Sequence, residues 1–407
     1  MANIEKTREL PPITINTNSR ETLAHAEKYA KNKKLDEFLV VDIDAHVSEG
    51  MFWNEVTDRL KSDVWKYNAK SFNERGPGTL GLTNAEPGTL YQGANGRIPH
   101  QERLGEAVEE KGVHKQITLA RRAMDGMGID YMSVFPTPML QIGLHPQPEV
   151  EVELGWAYNR WLTEEVLPDE PRLMGLLYLP YNEPTQLERF VKEFTGKKGV
   201  IGFSVTSPRN RAIHHNDYMR LYSMLEEQGM PMIFHAGFNW KDQSMQLLNR
   251  FISMHALSFV HCNLIHMTNW IMNGLPERFP KLKVMWIESG LAWIPFIMQR
   301  LDNEYMMRTS EAPLLRRKPS EYIKEMYFSS QPIELGNLEL VEATFKAINA
   351  ETQLLYASDW PHWDFDTPST IYDLPFLNEK QKRNILGGNA ARLFGLKDPY
   401  ASKAAAE

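Results

Sequence analysis

Eight short apolar runs, rich in β-branched and aromatic residues, recur along this chain of 407 residues. The runs are continuous rather than alternating in polarity, which is typical of strands buried on both faces of a parallel sheet. Helix-like stretches separate them, so each run and the stretch after it form a strand–helix unit. The eight predicted strands are Phe38–Asp44, Tyr131–Phe135, Met174–Leu179, Val200–Thr206, Met232–His235, Lys283–Glu288, Met326–Ser330 and Leu354–Ser358.

Eight such units with parallel connections can close on themselves as a (β/α)8 barrel. An open doubly wound sheet would usually have fewer strands and a glycine-rich phosphate-binding turn directly after the first, and no such turn follows Asp44 here. We therefore predict an α/β fold, a (β/α)8 TIM barrel, over residues 38–397. A polar N-terminal arm (residues 1–37) precedes the barrel, and a C-terminal tail (residues 398–407) follows it.

The connection between the first and second predicted strands is far longer than one crossover helix requires. We predict an insertion at about residues 47–124, which is rich in glycine and polar residues. Loops after barrel strands build the substrate pocket, so the insertion is expected to lie over the C-terminal mouth. A second excursion, residues 237–281, follows the fifth strand and is expected to be largely helical and to wall the same site.

Composition excludes several classes of partner. The chain has 45 Lys and Arg against 52 Asp and Glu, a formal net charge of −7, without the basic excess typical of nucleic-acid binding. Its apolar stretches are far shorter than the roughly 20 residues that cross a bilayer. The single cysteine, Cys262, excludes an intrachain disulfide and fits a reducing compartment. We expect a cytoplasmic protein that acts on a small molecule, without nucleic-acid or membrane partners.

Ionisable residues stand at the carboxyl ends of several predicted strands, where barrel enzymes carry their active sites. Asp44 and His46 are one residue apart, so the alternation of a strand places both side chains on one face. His235 ends strand five and Asp359 follows strand eight. Two carboxylates and two imidazoles form a ligand set for one divalent metal ion, zinc foremost, with manganese, iron or magnesium as alternatives.

Further residues near these ends are candidates for catalysis. Glu288, at the end of strand six, could act as a general base beside a metal-bound water. It could instead orient a metal ligand or pair with Arg300. His362 follows Asp359 by three residues and either points into the mouth or packs in a loop.

Another group of residues is predicted to contact the substrate. Aromatic side chains at the mouth would suit a planar or cyclic compound, and an arginine would pair with a carboxylate. Arg121 and Arg122 are lesser candidates for such pairing. The predicted substrate-binding residues are Glu49, His266, Trp360 and Arg97.

Four motifs in order resemble the amidohydrolase superfamily, in particular the branch that contains aminocarboxymuconate-semialdehyde decarboxylase and γ-resorcylate decarboxylase. The motifs are residues 41–46, residues 235–237, residues 274–290 and residues 358–362, and the resemblance spans roughly residues 38–396. It implies a metal-dependent (β/α)8 barrel. Asp44-Ala45-His46 is similar to the H-x-H motif of that branch with Asp in the first position. The resemblance also implies that His235 and Asp359 bind the metal, that Asp359 serves as a general acid/base, and that the protein is a homodimer.

The chain departs from the decarboxylases of this branch at strand six. They have a histidine before a small residue and glycine, whereas this chain has Glu288-Ser289-Gly290. An anionic Glu288 would repel a substrate carboxylate, although a protonated one could act as an acid.

We therefore predict a mononuclear metal-dependent hydrolase of a small cyclic or aromatic compound. Asp359 or Glu288 would deprotonate a metal-bound water that attacks a carbonyl carbon. The alternatives are a non-oxidative decarboxylase of a hydroxy-aromatic or muconate-type acid, and a non-catalytic barrel scaffold.

Overall fold

The protein folds as a barrel of eight parallel strands in sequential order. The computed structural model describes residues 19–71, 104–362 and 364–401, so the predicted substrate contact Arg97 lies outside the described residues. The predicted (β/α)8 barrel is confirmed. The strands are β1 (Val41–Val47), β2 (Tyr131–Pro136), β3 (Leu173–Tyr178), β4 (Val200–Thr206), β5 (Met232–His235), β6 (Val284–Ile287), β7 (Tyr327–Ser329) and β8 (Leu354–Leu355).

The ring of strands closes between β1 and the segment that leaves β8. The amide of Ile43 donates to the carbonyl of Tyr356 (3.0 Å), and Ala45 pairs in parallel with Trp360. We call this contact between β1 and residues 356–360 the seam. Because hydrogen bonding continues across it, β1 and β8 leave no open sheet edge at this point.

Six of the eight strands differ from their predicted bounds, and β1 and β8 differ most. β1 begins at Val41, because Phe38 and Leu39 are buried outside the hydrogen-bonded ladder. β8 is only two residues long, since the chain turns at Asp359, whose φ of 59° interrupts the extended backbone. The apolar pattern of the sequence indicates which residues are buried. At both β1 and β8, buried residues extend beyond the hydrogen-bonded ladder.

Helices cover the outside of the barrel. α6 illustrates why they form, because Leu187, Phe190, Val191 and Phe194 are buried at helical spacing while charged residues separate them. Among the described residues, no helix combines the length and apolar character needed to traverse a bilayer. The helices are α1 (Ser19–Asn32), α2 (Trp53–Thr57), α3 (Asp63–Ser71), α4 (Lys115–Met127), α5 (Pro148–Trp161), α6 (Leu187–Phe194), α7 (Met219–Gln228), α8 (Phe251–Met272), α9 (Leu275–Arg278), α10 (Trp293–Met307), α11 (Pro319–Ile323), α12 (Leu338–Ala347), α13 (Ala350–Gln353), α14 (Ser369–Tyr372), α15 (Glu379–Arg383) and α16 (Asn389–Phe394).

The N-terminal helix α1 packs against the molecule through a short apolar face. Leu23, Ala26 and Ala30 are buried on this face. Gly126 of α4 permits the close approach, since a Cβ there would lie 3.0 Å from the Leu23 Cβ. The proposed limits of the arm, the insertion and the tail stay predictions.

The apolar core has two layers. One lies between the strands and the helices, and the other is a compact inner cluster that includes Phe135, Ile233 and Ile287. Val41 and Ile43 of β1 belong to the inner cluster, whereas Ala45 belongs to the outer layer. The register irregularity of β1 between residues 42 and 45 causes this switch of sides.

Candidate metal centre and active site

The four predicted metal ligands converge at the mouth of the barrel. The Oδ1 atom of Asp44 lies 3.3 Å from His235 Nε2 and 3.6 Å from His46 Nε2. His46 Nε2 lies 3.1 Å from Asp359 Oδ1. All four side chains are buried. Asp44, His46 and His235 form one group whose ligand atoms could hold a metal ion, and His46, Asp359 and His362 form a second.

Backbone carbonyls fix the tautomers of the two histidines. His46 Nδ1 lies 2.8 Å from the carbonyl oxygen of Pro136, and His235 Nδ1 lies 2.8 Å from that of Ala236. Each Nδ1 therefore carries hydrogen and donates it, which leaves the lone pair of each Nε2 directed at the centre. Metal-binding histidines are held by the same kind of hydrogen bond.

Several buried atoms of these ligands have no hydrogen-bond partner in the described part of the chain. They are both carboxylate oxygens of Asp44, Nε2 of His46, Nε2 of His235 and Oδ2 of Asp359. Buried polar atoms without partners are costly, and here they share one space. A divalent cation would satisfy all of them, and imidazole nitrogens with carboxylate oxygens suit manganese, zinc or iron. The residues present therefore fit a single divalent metal ion.

A hydrogen-bonded contact across the seam holds two of the ligands in place. The carboxylate of Asp42 accepts the backbone N–H of Ser358 (2.9 Å) and its hydroxyl (2.5 Å). Asp42 also accepts the amide of Asp44 (3.1 Å), and the amide of Asp359 donates to the Asp44 carbonyl (2.6 Å). Asp42 and Ser358 are not among the predicted site residues, although Asp42 lies two residues before Asp44 and Ser358 immediately precedes Asp359.

His362 faces the candidate metal centre, which is one of the two placements that we predicted from the sequence. Its Nδ1 lies 2.7 Å from Asp359 Oδ1, and its ring lies over that of His46 with 4.0 Å between centroids. Burial lowers the pKa of His362, but the charge of Asp359 and this hydrogen bond outweigh burial and raise it above its ordinary value. The same contact holds the pKa of Asp359 below its usual range against the effect of burial.

Thr137, which follows β2, is another residue of the site that was not predicted from the sequence. Its hydroxyl donates to the carbonyl of Val47 (3.1 Å) and lies 3.4 Å from Nε2 of His362. Glu49 fixes this turn, because its carboxylate accepts the amides of Thr137 (2.8 Å) and Met139 (2.9 Å). Burial raises the pKa of Glu49 to about 7, although both amides favour its charged form. Glu49 thus supports the mouth, and its contact with substrate stays a prediction.

Glu288 is buried beside the ligands at the end of β6, where its φ is 58°. Its Oε2 lies 3.4 Å from His235 Nδ1, and its Oε1 lies 4.0 Å from His362 Nδ1. Burial and the nearby charges raise the pKa of Glu288 well above its ordinary value. Arg300 instead contacts Glu304 (2.7 Å), so orientation of His235 is the non-catalytic role that the geometry supports.

His266 and Trp360, two of the predicted substrate contacts, lie among packed neighbours. His266 Nε2 on α8 lies 2.9 Å from the carbonyl oxygen of Ser207, and burial lowers the pKa of His266 to about 4. The ring of Trp360 packs edge-on against Phe365, with 4.8 Å between centroids. Their roles in substrate binding stay predictions, as does that of Arg97.

The two arginines considered for pairing with a substrate carboxylate are engaged elsewhere. Arg121 binds Glu170 (2.5 Å) and Glu110 (3.0 Å). Arg122 binds Glu106 (3.1 Å). Both arginines therefore join α4, which precedes β2, to neighbouring segments of the protein.

Comparison with known proteins gives matches over most of the chain. A family model described as Amidohydrolase matches residues 96–396. A γ-resorcylate decarboxylase of Polaromonas sp. (strain JS666) is 25% identical over 254 residues, which are 58% of this chain and 75% of that protein. A 2-amino-3-carboxymuconate-6-semialdehyde decarboxylase of Dictyostelium discoideum is 21% identical over 283 residues, 68% of this chain and 74% of that protein.

A solved structure has the same fold. It is a dihydroxybenzoic acid decarboxylase from Polaromonas sp. JS666 with bound manganese and an inhibitor, 2-nitroresorcinol. The TM-score is 0.61 at 17% sequence identity, and the match covers 88% of this chain and 97% of that one. The predicted likeness to this branch of decarboxylases is confirmed.

Proposed function

The chain belongs to the amidohydrolase family, and on that basis we propose that it is a metal-dependent, non-oxidative decarboxylase of a hydroxylated aromatic acid. The related proteins named above are decarboxylases, which favours our decarboxylase alternative over hydrolysis. We propose manganese as the metal, because the dihydroxybenzoic acid decarboxylase holds it on the same fold.

The convergence of the orphaned ligand atoms is the observation that carries this proposal. Two imidazole lone pairs and the oxygens of Asp44 and Asp359 face one buried space without other partners. The arrangement is costly without a cation and favourable with one. A scaffold without catalytic function has no need of it.

In this mechanism Asp44, His46, His235 and Asp359 would hold the metal, which would supply Lewis-acid stabilisation of negative charge on the substrate's oxygens. The residues of the chain hold and move a proton. His362 Nδ1 and Asp359 Oδ1, 2.7 Å apart, share the proton, and Asp359 delivers it to the ring carbon that bears the carboxylate. The bond to the carboxylate then breaks, its electron pair restores the aromatic ring, and carbon dioxide leaves.

Hydrolysis is the second candidate because of Glu288. A carboxylate stands where the decarboxylases resembled by this chain have a histidine, and it lies 3.4 Å from His235. At that position it could serve as the base toward water for a substrate that lacks a free carboxylate.

The deciding experiment follows the fate of the substrate's carboxylate. Manganese-loaded protein is incubated in D2O with 2,6-dihydroxybenzoate and other hydroxybenzoates, and the products are analysed by mass spectrometry. We expect carbon dioxide and an arene that carries one deuterium at the carbon that lost the carboxylate. Asp359→Asn and His235→Ala should be inactive and poor in metal. Asp130→Asn should stay active, because Asp130 precedes β2 and contacts Val40 just before the start of β1.

Two results would speak against decarboxylation. One is a metal-loaded wild type that releases no carbon dioxide from any member of the panel. The other is turnover of lactones or esters with incorporation of 18O from labelled water, which would establish hydrolysis instead.

A further inference from the structure

A histidine and an aspartate outside the metal ligand set face each other at the mouth of the barrel. His255 lies in the first turns of α8, and Asp364 lies in the segment after β8. Their Nε2 and Oδ2 atoms are 3.8 Å apart. Their side chains are 19% and 21% exposed, whereas those of the metal ligands are 0–1% exposed, so this pair is accessible to a ligand.

Asp364 follows His362 by two residues, and His362 Nδ1 lies 2.7 Å from Asp359 Oδ1, so the pair is near the candidate metal centre. Burial and the charge of Asp359 raise the pKa of Asp364 to about 7. The charge of Asp364 in turn contributes to the raised pKa of Glu288. Burial lowers the pKa of His255 to about 4, and Asp359 and His362 also act on it.

The surroundings fix both side chains. The His255 ring packs against Phe259, with 4.6 Å between centroids, and against Phe251 at 5.5 Å. The side-chain amide of Gln331, at the end of β7, donates to the Asp364 carbonyl (3.3 Å). The Oε1 of Gln331 is buried and has no partner among the described residues. An apolar wall, two facing polar groups and an unpaired amide oxygen are typical of a small-molecule site.

The distance between the two side chains leaves room for one oxygen atom. A separation of 3.8 Å is too long for a direct hydrogen bond, and an oxygen to one side of the pair could lie about 2.8 Å from both atoms. A hydroxyl can donate to Asp364 and accept from His255, whereas a carboxylate can only accept. The mechanism proposed above uses neither residue.

We propose that His255 and Asp364 form a subsite that binds a hydroxyl group of the substrate, separate from the oxygens that the metal would hold. This inference rests on the proposed function, since it names the substituent that the aromatic substrate carries. The subsite selects ring-hydroxylated acids by the position of one hydroxyl, and it discriminates against a second carboxylate at that position.

The test compares ring acids that differ by one hydroxyl. Affinities of manganese-loaded wild type for 2-hydroxybenzoate and for its 4-, 5- and 6-hydroxy derivatives are measured by calorimetry, and the same panel is run on Asp364→Ala and His255→Phe. His261→Phe, on the same helix, is the matched control. We expect one derivative to bind the wild type about tenfold more tightly than 2-hydroxybenzoate, as one hydrogen bond to a charged group allows.

In the two variants that gain should fall to less than about twofold, while metal content and affinity for 2-hydroxybenzoate stay within twofold of the wild type. His261→Phe should keep the full gain. Equal gains in all proteins, no hydroxyl preference in the wild type, or no binding of any probe would each overturn the subsite. Absence of carbon dioxide release with the hydroxyl preference intact would refute decarboxylation and leave the subsite standing.

Discussion

Asp42 and Ser358 are joined across the seam by two hydrogen bonds, although 316 residues separate them in the sequence. Ser358 immediately precedes the metal ligand Asp359, and the amide of Asp44 also donates to Asp42. One buried carboxylate outside the proposed ligand set therefore helps to position two carboxylates within it. Removal of a group that orients a ligand in this way typically costs about 10- to 100-fold in metal affinity or activity.

Asp42→Asn should weaken metal binding. Three donors bind the Asp42 carboxylate: the Ser358 N–H, the Ser358 hydroxyl and the Asp44 N–H. The side chain of asparagine has only one acceptor oxygen, so we expect Asp44 and Asp359 to shift. We expect manganese affinity to fall by about 10- to 100-fold, measured by competition with a chelator. Asp130→Asn is the matched control, since Asp130 accepts the amide of Val40 (2.8 Å) below the mouth. An equal loss in both variants would show a general effect on stability.

Thr137→Val should slow turnover without loss of metal. The substitution removes the hydroxyl that lies 3.4 Å from His362 Nε2, so the His362 ring gains freedom to rotate away from Asp359. Steady-state kinetics should show kcat reduced about tenfold, with a smaller change in KM. Thr163→Val, which also removes a buried hydroxyl bound to a carbonyl (2.8 Å), should keep the wild-type kcat. A change in KM alone would argue against a positioning role for Thr137.

Glu288→Gln separates the two candidate reactions. In the decarboxylase, Glu288 only orients His235, and an amide of the same shape preserves most of that contact, so kcat should change by less than about fivefold. In a hydrolase with Glu288 as the general base, kcat would fall by roughly 100-fold or more. The measurement is kcat on whichever substrate class proves active, with metal content determined for both proteins.

His266 should make the fold sensitive to acid. Its pKa is lowered to about 4 in the folded protein, against 6.5 as the ordinary value, so the unfolded chain binds more protons between these limits. The stability that the neutral side chain contributes is complete above about pH 6.5 and is lost as the pH falls toward 4. His266→Gln should remove up to about 3 kcal/mol of the difference in unfolding free energy between pH 7 and pH 4.

Urea unfolding at several pH values measures this effect. The exposed His25→Gln on α1 serves as the control and should leave the pH dependence unchanged. Parallel pH profiles for wild type and His266→Gln would show that His266 is not the group responsible.

Added manganese should raise the unfolding temperature. The ligands converge only in the folded protein, so a metal at 1,000 times its Kd stabilises the fold by about 4 kcal/mol. Thermal scans with and without manganese should show this shift in the wild type and its loss in His235→Ala. An unchanged wild-type unfolding temperature at saturating manganese would contradict the metal centre.

The sequence predicts strand positions well where burial and hydrogen bonding coincide. The bounds of β4 and β5 match the predicted ones, since their apolar runs end where the ladder ends. It predicts the convergence of the ligands because the carboxyl ends of barrel strands meet at one mouth. It does not predict the contact of Asp42 with Ser358 or of Thr137 with His362, because these depend on a strand irregularity and on turns that no periodicity encodes.

The seam also determines the point during synthesis at which the barrel can close and the ligand set is complete. A growing chain that has completed β1 to β7 carries Asp44, His46 and His235 but has no Asp359, and its barrel lacks the segment that pairs with Ala45. Closure of the ring and completion of the proposed ligand set therefore occur together, once Trp360 has left the ribosome. Truncated products of interrupted translation would be inert, whatever metal the cell supplies.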